Sequence, residues 1–155
     1  MAVLALVIIF YLSSVIYRQR VTPVLTQFPI GVIGPEYSQE AALYLFLFFS
    51  KKDCQLCLLQ VIDLLNQPHK GIKVAGIIPQ KESGFRDEIV KNFNINFPLK
   101  TAKKWRRFIP DYTPTLYGVG KEGRVYFILP CLGLIKNYLL DYLYEFKLKA
   151  GYLIF

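Results

Sequence analysis

The chain has 155 residues, 54% of them hydrophobic, with 19 Lys/Arg against 11 Asp/Glu and a formal net charge of +8. That length suits one compact domain plus an appendage. The basic excess comes with no recognisable nucleic-acid-binding module, so nucleic acid is not expected as a partner.

Ala2 to Tyr17, AVLALVIIFYLSSVIY, is uncharged and closed by Arg18-Gln19-Arg20. A helix rising about 1.5 Å per residue over this stretch nearly crosses a hydrocarbon core of roughly 30 Å. Neither an early positive charge nor a clear small-x-small cleavage site is present, so an uncleaved membrane anchor over residues 1–20 is favoured over a signal peptide. A buried soluble helix is the third reading, disfavoured because Ser13 and Ser14 are adjacent and make no polar stripe. Residues 21–41 read as a connector broken by Pro23, Pro29, Gly31, Gly34 and Pro35, with room for a short edge strand from Phe28 to Ile33. Residues 42–155 are then expected to form the domain.

Ala42 to Phe49 is a continuous apolar run, the pattern of a strand buried on both faces. After Ser50-Lys51-Lys52-Asp53 comes Cys54-Gln55-Leu56-Cys57, opening a helix whose apolar residues Leu58, Val61, Ile62 and Leu65 share one face. Thiols at i and i+3 lie on one side of the first turn, near enough to close a small disulfide. The leading thiol sits where unpaired backbone N–H groups favour a thiolate, the nucleophile of disulfide exchange. A metal site is the competing reading, but no second CxxC or HxxxH follows and His69, the one histidine, stands apart. Two buried, inert cysteines are the other.

Ile72 to Ile78 reads as a second strand; Ser83 is expected to cap a second helix with Phe85, Ile89, Val90 and Phe93 as its apolar stripe. A short strand at Phe97 to Leu99 and a short helix at Ala102 to Phe108 follow. Lys100, Lys103, Lys104, Arg106 and Arg107 surround Trp105, a pattern of a solvated helical face or of a surface for anionic headgroups or an acidic partner. Thr113-Pro114-Thr115 then precedes two runs, Leu116 to Val119 and Val125 to Leu129, joined by a Gly-containing turn as in a hairpin. A terminal helix is expected from about Leu134 to Lys149. The order β-α-β-α-(β-α)-β-β-α implies an α/β fold in three layers, with a central mixed sheet.

From Phe28 to Lys149 the chain resembles thioredoxin-fold proteins, on the strength of the CxxC after the first core strand, the Thr-Pro before the hairpin and the terminal helix. The segment from Ile72 to Trp105 is more similar to the membrane-anchored TlpA/ResA-like branch, and to peroxiredoxins, than to minimal thioredoxin. The resemblance implies a thiol-disulfide oxidoreductase acting on protein thiols and disulfides, without a cofactor or metal. It makes Cys54 the exposed attacking thiol and Cys57 the buried resolving one. It also makes Thr113-Pro114 the dipeptide with a cis bond, beside which substrate backbone docks. Such a domain is most useful outside the cytoplasm, so an extracytoplasmic location is expected; Arg18 and Arg20 favour the cytoplasmic face as the alternative.

Departures from the family pattern mark this chain. Asp53 stands where many relatives have tryptophan, and an anion there disfavours a thiolate. The CxxC interior is Gln-Leu, without proline. Phe48 replaces the buried acid of thioredoxin, and Gln60 falls near the glutamate of ResA-like proteins. Two alternatives on the same fold are a non-catalytic metal-handling (copper-chaperone-like) or assembly protein using Cys54, Cys57 and His69 or Cys131, and a degenerate peroxiredoxin. For the latter, Ser50 supplies the upstream hydroxyl, but Leu47 stands where the pattern has proline. Cys131, after the last hairpin strand, is expected on the same side as Cys54, as an accessory thiol or a half-buried cysteine without a role.

Overall fold

The computed structural model describes residues 27–28, 41–67, 70–101, 110, 112–131, 140–141 and 143–145. The expected anchor over residues 2–17, most of the connector, His69, the basic run 103–107 and most of the terminal helix lie outside the described residues. Among those described, no helix is long and apolar enough to cross a membrane.

The elements run β1 (Leu43–Phe48), α1 (Gln55–Leu65), β2 (Ile72–Ile78), a 3-10 helix (Gln80–Phe85), α2 (Arg86–Phe93), β3 (Leu99–Thr101), β4 (Thr115–Gly120) and β5 (Val125–Pro130). They build a five-stranded sheet in the order β3-β2-β1-β4-β5. β1 lies at the centre, parallel to β2 and antiparallel to β4. Its apolar residues therefore alternate between two cores. Leu43, Leu45, Leu47 and Phe49 meet the buried faces of α1 and α2, while Tyr44, Phe46 and Phe48 enter a second cluster with Phe28, Ala75, Ile77, Tyr117 and Val119. A strand that feeds two cores cannot carry a polar face, which explains the unbroken run LYLFLF.

The second core is largely aromatic. Phe28 stacks on Phe46 at 4.7 Å between ring centroids, and Phe48 tilts against Tyr117 at 4.8 Å. Phe28 is also tied to the hairpin, its N–H donating to the Gly123 carbonyl at 2.6 Å. Of the expected edge strand from Phe28 to Ile33 only Phe28 is among the described residues; the residue before it, Gln27, forms an isolated bridge with Arg124. Gly123 closes the hairpin with φ +83, a conformation that suits glycine. Across the hairpin Gly118 faces Phe127, whose ring fills the space that a Cβ at 118 would need.

Two local expectations are corrected. Ser83 does not cap the second helix: Gln80–Phe85 is a 3-10 turn, and α2 begins at Arg86 with no side-chain cap at Phe85. Tertiary contacts decide this, because Glu82 is drawn inward to the loop before Cys54 while Phe85 stays exposed under the Lys51 ammonium, 3.3 Å from the ring centroid. Asp87 and Glu88 in the first turn of α2 suit the positive end of its dipole. The third strand begins at Leu99, two residues later than expected. Pro98 has no N–H for the ladder, so it contributes only its carbonyl, which accepts from Gly76 at 2.9 Å. Phe97 becomes a core residue instead.

At the far end of α1, Asn66 acts as a buckle. Its side chain donates to the Asn94 carbonyl at 2.7 Å and accepts from the Asn96 N–H at 2.8 Å. Asn94 itself ends α2 in the left-handed region, φ 50, where asparagine is tolerated better than most residues. This fixes α1 against α2, and hence the direction in which the N-terminus of α1 points.

Candidate active site

The register of the sheet collects the candidate residues at one end. Phe48, closing β1, pairs with Thr115, which opens β4, and Thr115 pairs with Pro130, closing β5. The loop after β1, the residues before β4 and the residue after β5 therefore meet. Cys54 and Cys57 come from the first of these, Thr113 and Pro114 from the second, Cys131 from the third.

Cys54 is the N-cap of α1. Its sulfur accepts from the Cys57 N–H at 3.4 Å, and its carbonyl accepts from the Leu58 N–H at 3.0 Å. A cap residue has left the helical conformation, which swings its side chain across the first turn. Cys54 is exposed, Cys57 half-buried, and neither is joined in a disulfide. The two cysteines lie close together in the first turn. The Cys54 thiol is held below the usual thiol range, first by the hydrogen bond with the Cys57 side chain and next by the Cys57 backbone N–H. Desolvation raises it, the Leu56 N–H lowers it, and the charge of Asp53 raises it least. The anionic neighbour acts in the direction read from the sequence, but it is the smallest influence.

Asp53 is chiefly a clasp. Its Oδ2 accepts from the Ser50 N–H at 2.8 Å, and its Oδ1 accepts from the Thr113 hydroxyl at 2.7 Å, across 60 residues of chain. The Thr113–Pro114 peptide bond is cis. Thr113 is half-buried and Pro114 buried. The clasp thus joins the loop bearing the dithiol to the Thr-Pro segment, a role that no sequence pattern announced.

Cys131 reaches the same end of the sheet, as expected, but as a core residue. Its N–H donates to the Pro114 carbonyl at 2.8 Å, its thiol donates to the Leu129 carbonyl at 3.4 Å, and it is 1% exposed. Burial pushes its pKa up to about 12. A thiol so placed is shielded from solvent and stays protonated, so its environment gives no support to an accessory role.

Ser50, the hydroxyl that resembles the peroxide-binding position, donates to Glu82 at 2.7 Å and is committed to that carboxylate. Glu82 is 2% exposed and escaped the sequence reading altogether. It follows Pro79 in a segment without apolar periodicity, so only its contacts reveal it. Phe48, in the place of thioredoxin's buried acid, is buried among Phe28 and Tyr117. Gln60 is exposed on α1. Among the described residues no group of three or more His, Cys, Asp or Glu is placed to hold a metal ion. Beside the dithiol lies a cleft of about 440 Å³, with Lys51, Asp53, Gln55, Glu88 and Phe93 in its wall.

No family model matches the sequence, and no curated relative matches it. Solved structures do. A thiol:disulfide interchange protein from Bacteroides sp. superposes with a TM-score of 0.55 at 12% identity, over 72% of this chain and 75% of that one. StoA from Bacillus subtilis gives 0.53 at 13% identity, over 66% and 83%. A secreted Mycobacterium tuberculosis disulfide oxidoreductase homologous to E. coli DsbE gives 0.52 at 15% identity, over 67% and 81%. The strand order, the dithiol at the start of α1 and these superpositions have one common explanation: the chain adopts the thioredoxin fold.

Proposed function

We propose that this protein is a thiol-disulfide oxidoreductase that exchanges disulfides with protein substrates through Cys54 and Cys57. The observation that carries the reading is the pairing of an exposed Cys54 thiol, held below the usual range at a helix N-terminus, with a half-buried Cys57 in the same turn. The names of the solved structures with this fold, thiol:disulfide interchange protein and disulfide oxidoreductase, support it.

In the reducing direction the Cys54 thiolate attacks one sulfur of a substrate disulfide. The S–S bond breaks, the second substrate sulfur leaves as a thiolate and takes a proton from solvent, and a mixed disulfide joins substrate to Cys54. Cys57 then loses its proton and attacks the Cys54 sulfur. The bond between Cys54 and the substrate breaks, the substrate sulfur first attacked leaves as a thiolate and is protonated, and Cys54–Cys57 is left as a disulfide. The substrate has gained two electrons and two protons, and the protein has lost them. Run backwards, the same steps oxidise a substrate dithiol.

Protein substrates fit the rim of the site. Leu56, inside the dithiol motif, is 75% exposed, and Tyr112, next to Thr113, is 70% exposed. Two large apolar side chains exposed to water, one within the dithiol motif and one next to the Thr-Pro segment, suit an extended, partly unfolded chain. Thr113 and Pro114 are then the substrate-contacting residues, the backbone of Thr113 serving as the docking edge.

The reading also includes a tether. Residues 2–17 are uncharged throughout, with Ser13 and Ser14 their only clearly polar residues, and are followed by a connector rich in Pro and Gly, so the domain stands off a bilayer on its extracytoplasmic side. Residues 1–20 form the anchor, 21–41 the connector and 42–155 the thioredoxin-like domain.

Reduction of insulin disulfides by the purified protein tests the chemistry. The wild type should accelerate it and Cys54→Ser should not; no acceleration by the wild type over buffer dithiol removes the assignment. The equilibrium of Cys54–Cys57 with glutathione gives the direction of flow: a potential near about −270 mV suits a reductant and one near about −120 mV an oxidant. Alkaline carbonate extraction of membranes tests the tether, since an anchored chain stays in the pellet.

A further inference from the structure

Glu82 is a buried carboxylate that the exchange steps do not use, and leaving such a group in the protein interior is costly unless it is hydrogen-bonded. Both its oxygens are engaged. Oε1 accepts from the Ser50 hydroxyl at 2.7 Å and Oε2 from the Lys51 N–H at 2.9 Å, partners 32 and 31 residues away. Those partners open the loop that ends at Cys54. From there the chain of bonds continues: the Ser50 N–H donates to Asp53 Oδ2 at 2.8 Å, the Asp53 N–H donates to the Ser50 carbonyl at 3.0 Å, and Thr113 donates to Asp53 Oδ1 at 2.7 Å. Glu82 thus lies at the inner end of a network that reaches the segments bearing Cys54 and Thr113.

We propose that Glu82 is a positioning residue for the dithiol: by holding Ser50 and Lys51 it sets where the loop 50–53 delivers Cys54 to the start of α1, and how Asp53 grips Thr113. The proposal rests on the exchange function inferred above. Its physical basis is that charge-assisted hydrogen bonds to a fixed buried carboxylate are stronger and shorter than those between neutral groups, so they define a loop position that water would leave open. No other charged side chain is buried among the described residues.

The test compares Glu82→Ala, Glu82→Gln and Ser50→Ala in the full chain, with folding of each checked by circular dichroism. Three quantities are read: the alkylation rate of Cys54 by iodoacetamide at fixed pH, the equilibrium of the Cys54–Cys57 pair with glutathione, and kcat/KM for a peptide disulfide. Glu82→Ala, folded, should change the alkylation rate and lower kcat/KM by about tenfold, the scale of a small misplacement of a reacting group. Glu82→Gln can still accept from Lys51 and donate to Ser50, and should restore both to within about twofold. Ser50→Ala removes one of the two ties and should fall between them. A folded Glu82→Ala whose alkylation, glutathione equilibrium and kcat/KM match the wild type overturns the proposal, as does a Glu82→Gln no better than Glu82→Ala. If Glu82→Ala does not fold, Ser50→Ala decides: wild-type values there overturn the proposal, and an intermediate loss supports it. A wild type inactive on disulfides would instead break the exchange function, while the alkylation rates still read the positioning.

Discussion

Cys54 and Cys131 are the same side chain at the same end of one sheet, and their surroundings drive them in opposite directions. Cys54 stands at the start of a helix, exposed, with the Cys57 side chain and N–H turned toward its sulfur, and its pKa is lowered. Cys131 follows the last strand, 1% exposed, with its N–H spent on Pro114 and its pKa raised by burial to about 12. The difference teaches that a thiol becomes a nucleophile where it is open to solvent and faced by donors, and becomes a small apolar residue where burial penalises its charge more than the one backbone donor, Leu116, relieves it.

The largest contrast is expected in exchange activity. Cys54→Ser should bring disulfide reduction down to the uncatalysed background, whereas Cys131→Ser should leave it within about twofold of the wild type, because only a thiolate attacks. Insulin turbidity measures both, and an inactive, folded Cys131→Ser would break the comparison. Alkylation sharpens it further. Cys54 should react with iodoacetamide with a midpoint below the roughly 8.5 of a free thiol, while Cys131 should be labelled only after denaturation. Peptide mass mapping across pH reads the two sites in one sample.

A charge placed at each position gives the next effect. Cys131→Asp buries a carboxylate without a built set of donors and should destabilise the fold by about 3 kcal/mol or more. Cys54→Asp places a good cap at a helix N-terminus and should be neutral or slightly stabilising. Urea midpoints of the two variants test this difference. The pH dependence of stability separates the sites more finely. The Cys131 thiol has a higher pKa folded, about 12, than the roughly 8.5 of an unfolded thiol, so its contribution is complete below about 8.5 and is lost as pH rises toward 12. In that window Cys131→Ala should reduce the alkaline fall in stability, by at most about 1.4 kcal/mol per pH unit. The smallest effect belongs to the cap: Cys54→Ala should lower the urea midpoint slightly where Cys54→Ser leaves it unchanged, because the serine oxygen can accept the same backbone N–H.

Much of the frame was legible from residue order. The run LYLFLF announced a strand buried on both sides, and the apolar spacing from Leu58 to Leu65 announced the helix behind the dithiol. Both are local signals, set by the periods of strand and helix. The Ser83 cap failed for the opposite reason, since a capping pattern within a few residues lost to contacts made from Glu82 across the molecule. Asp53 was half-legible: its sign on Cys54 followed from charge alone, but its grip on Thr113 depends on a partner 60 residues away.

By itself, then, the sequence determined the strand and helix content of the core, the thioredoxin-like order of elements, and a dithiol at a helix start, because each rests on spacing within a turn or a strand. Only the tertiary structure decided which buried group steadies the loop before Cys54, and that Cys131 is packed away while Cys54 is open. The register of β1 with β4 and of β4 with β5 brings Thr113 and Cys131 to the dithiol's end of the sheet. The inward turn after β2 brings Glu82 to Ser50. Contacts of that range leave no period in a sequence, so their chemistry is visible only once the chain has folded.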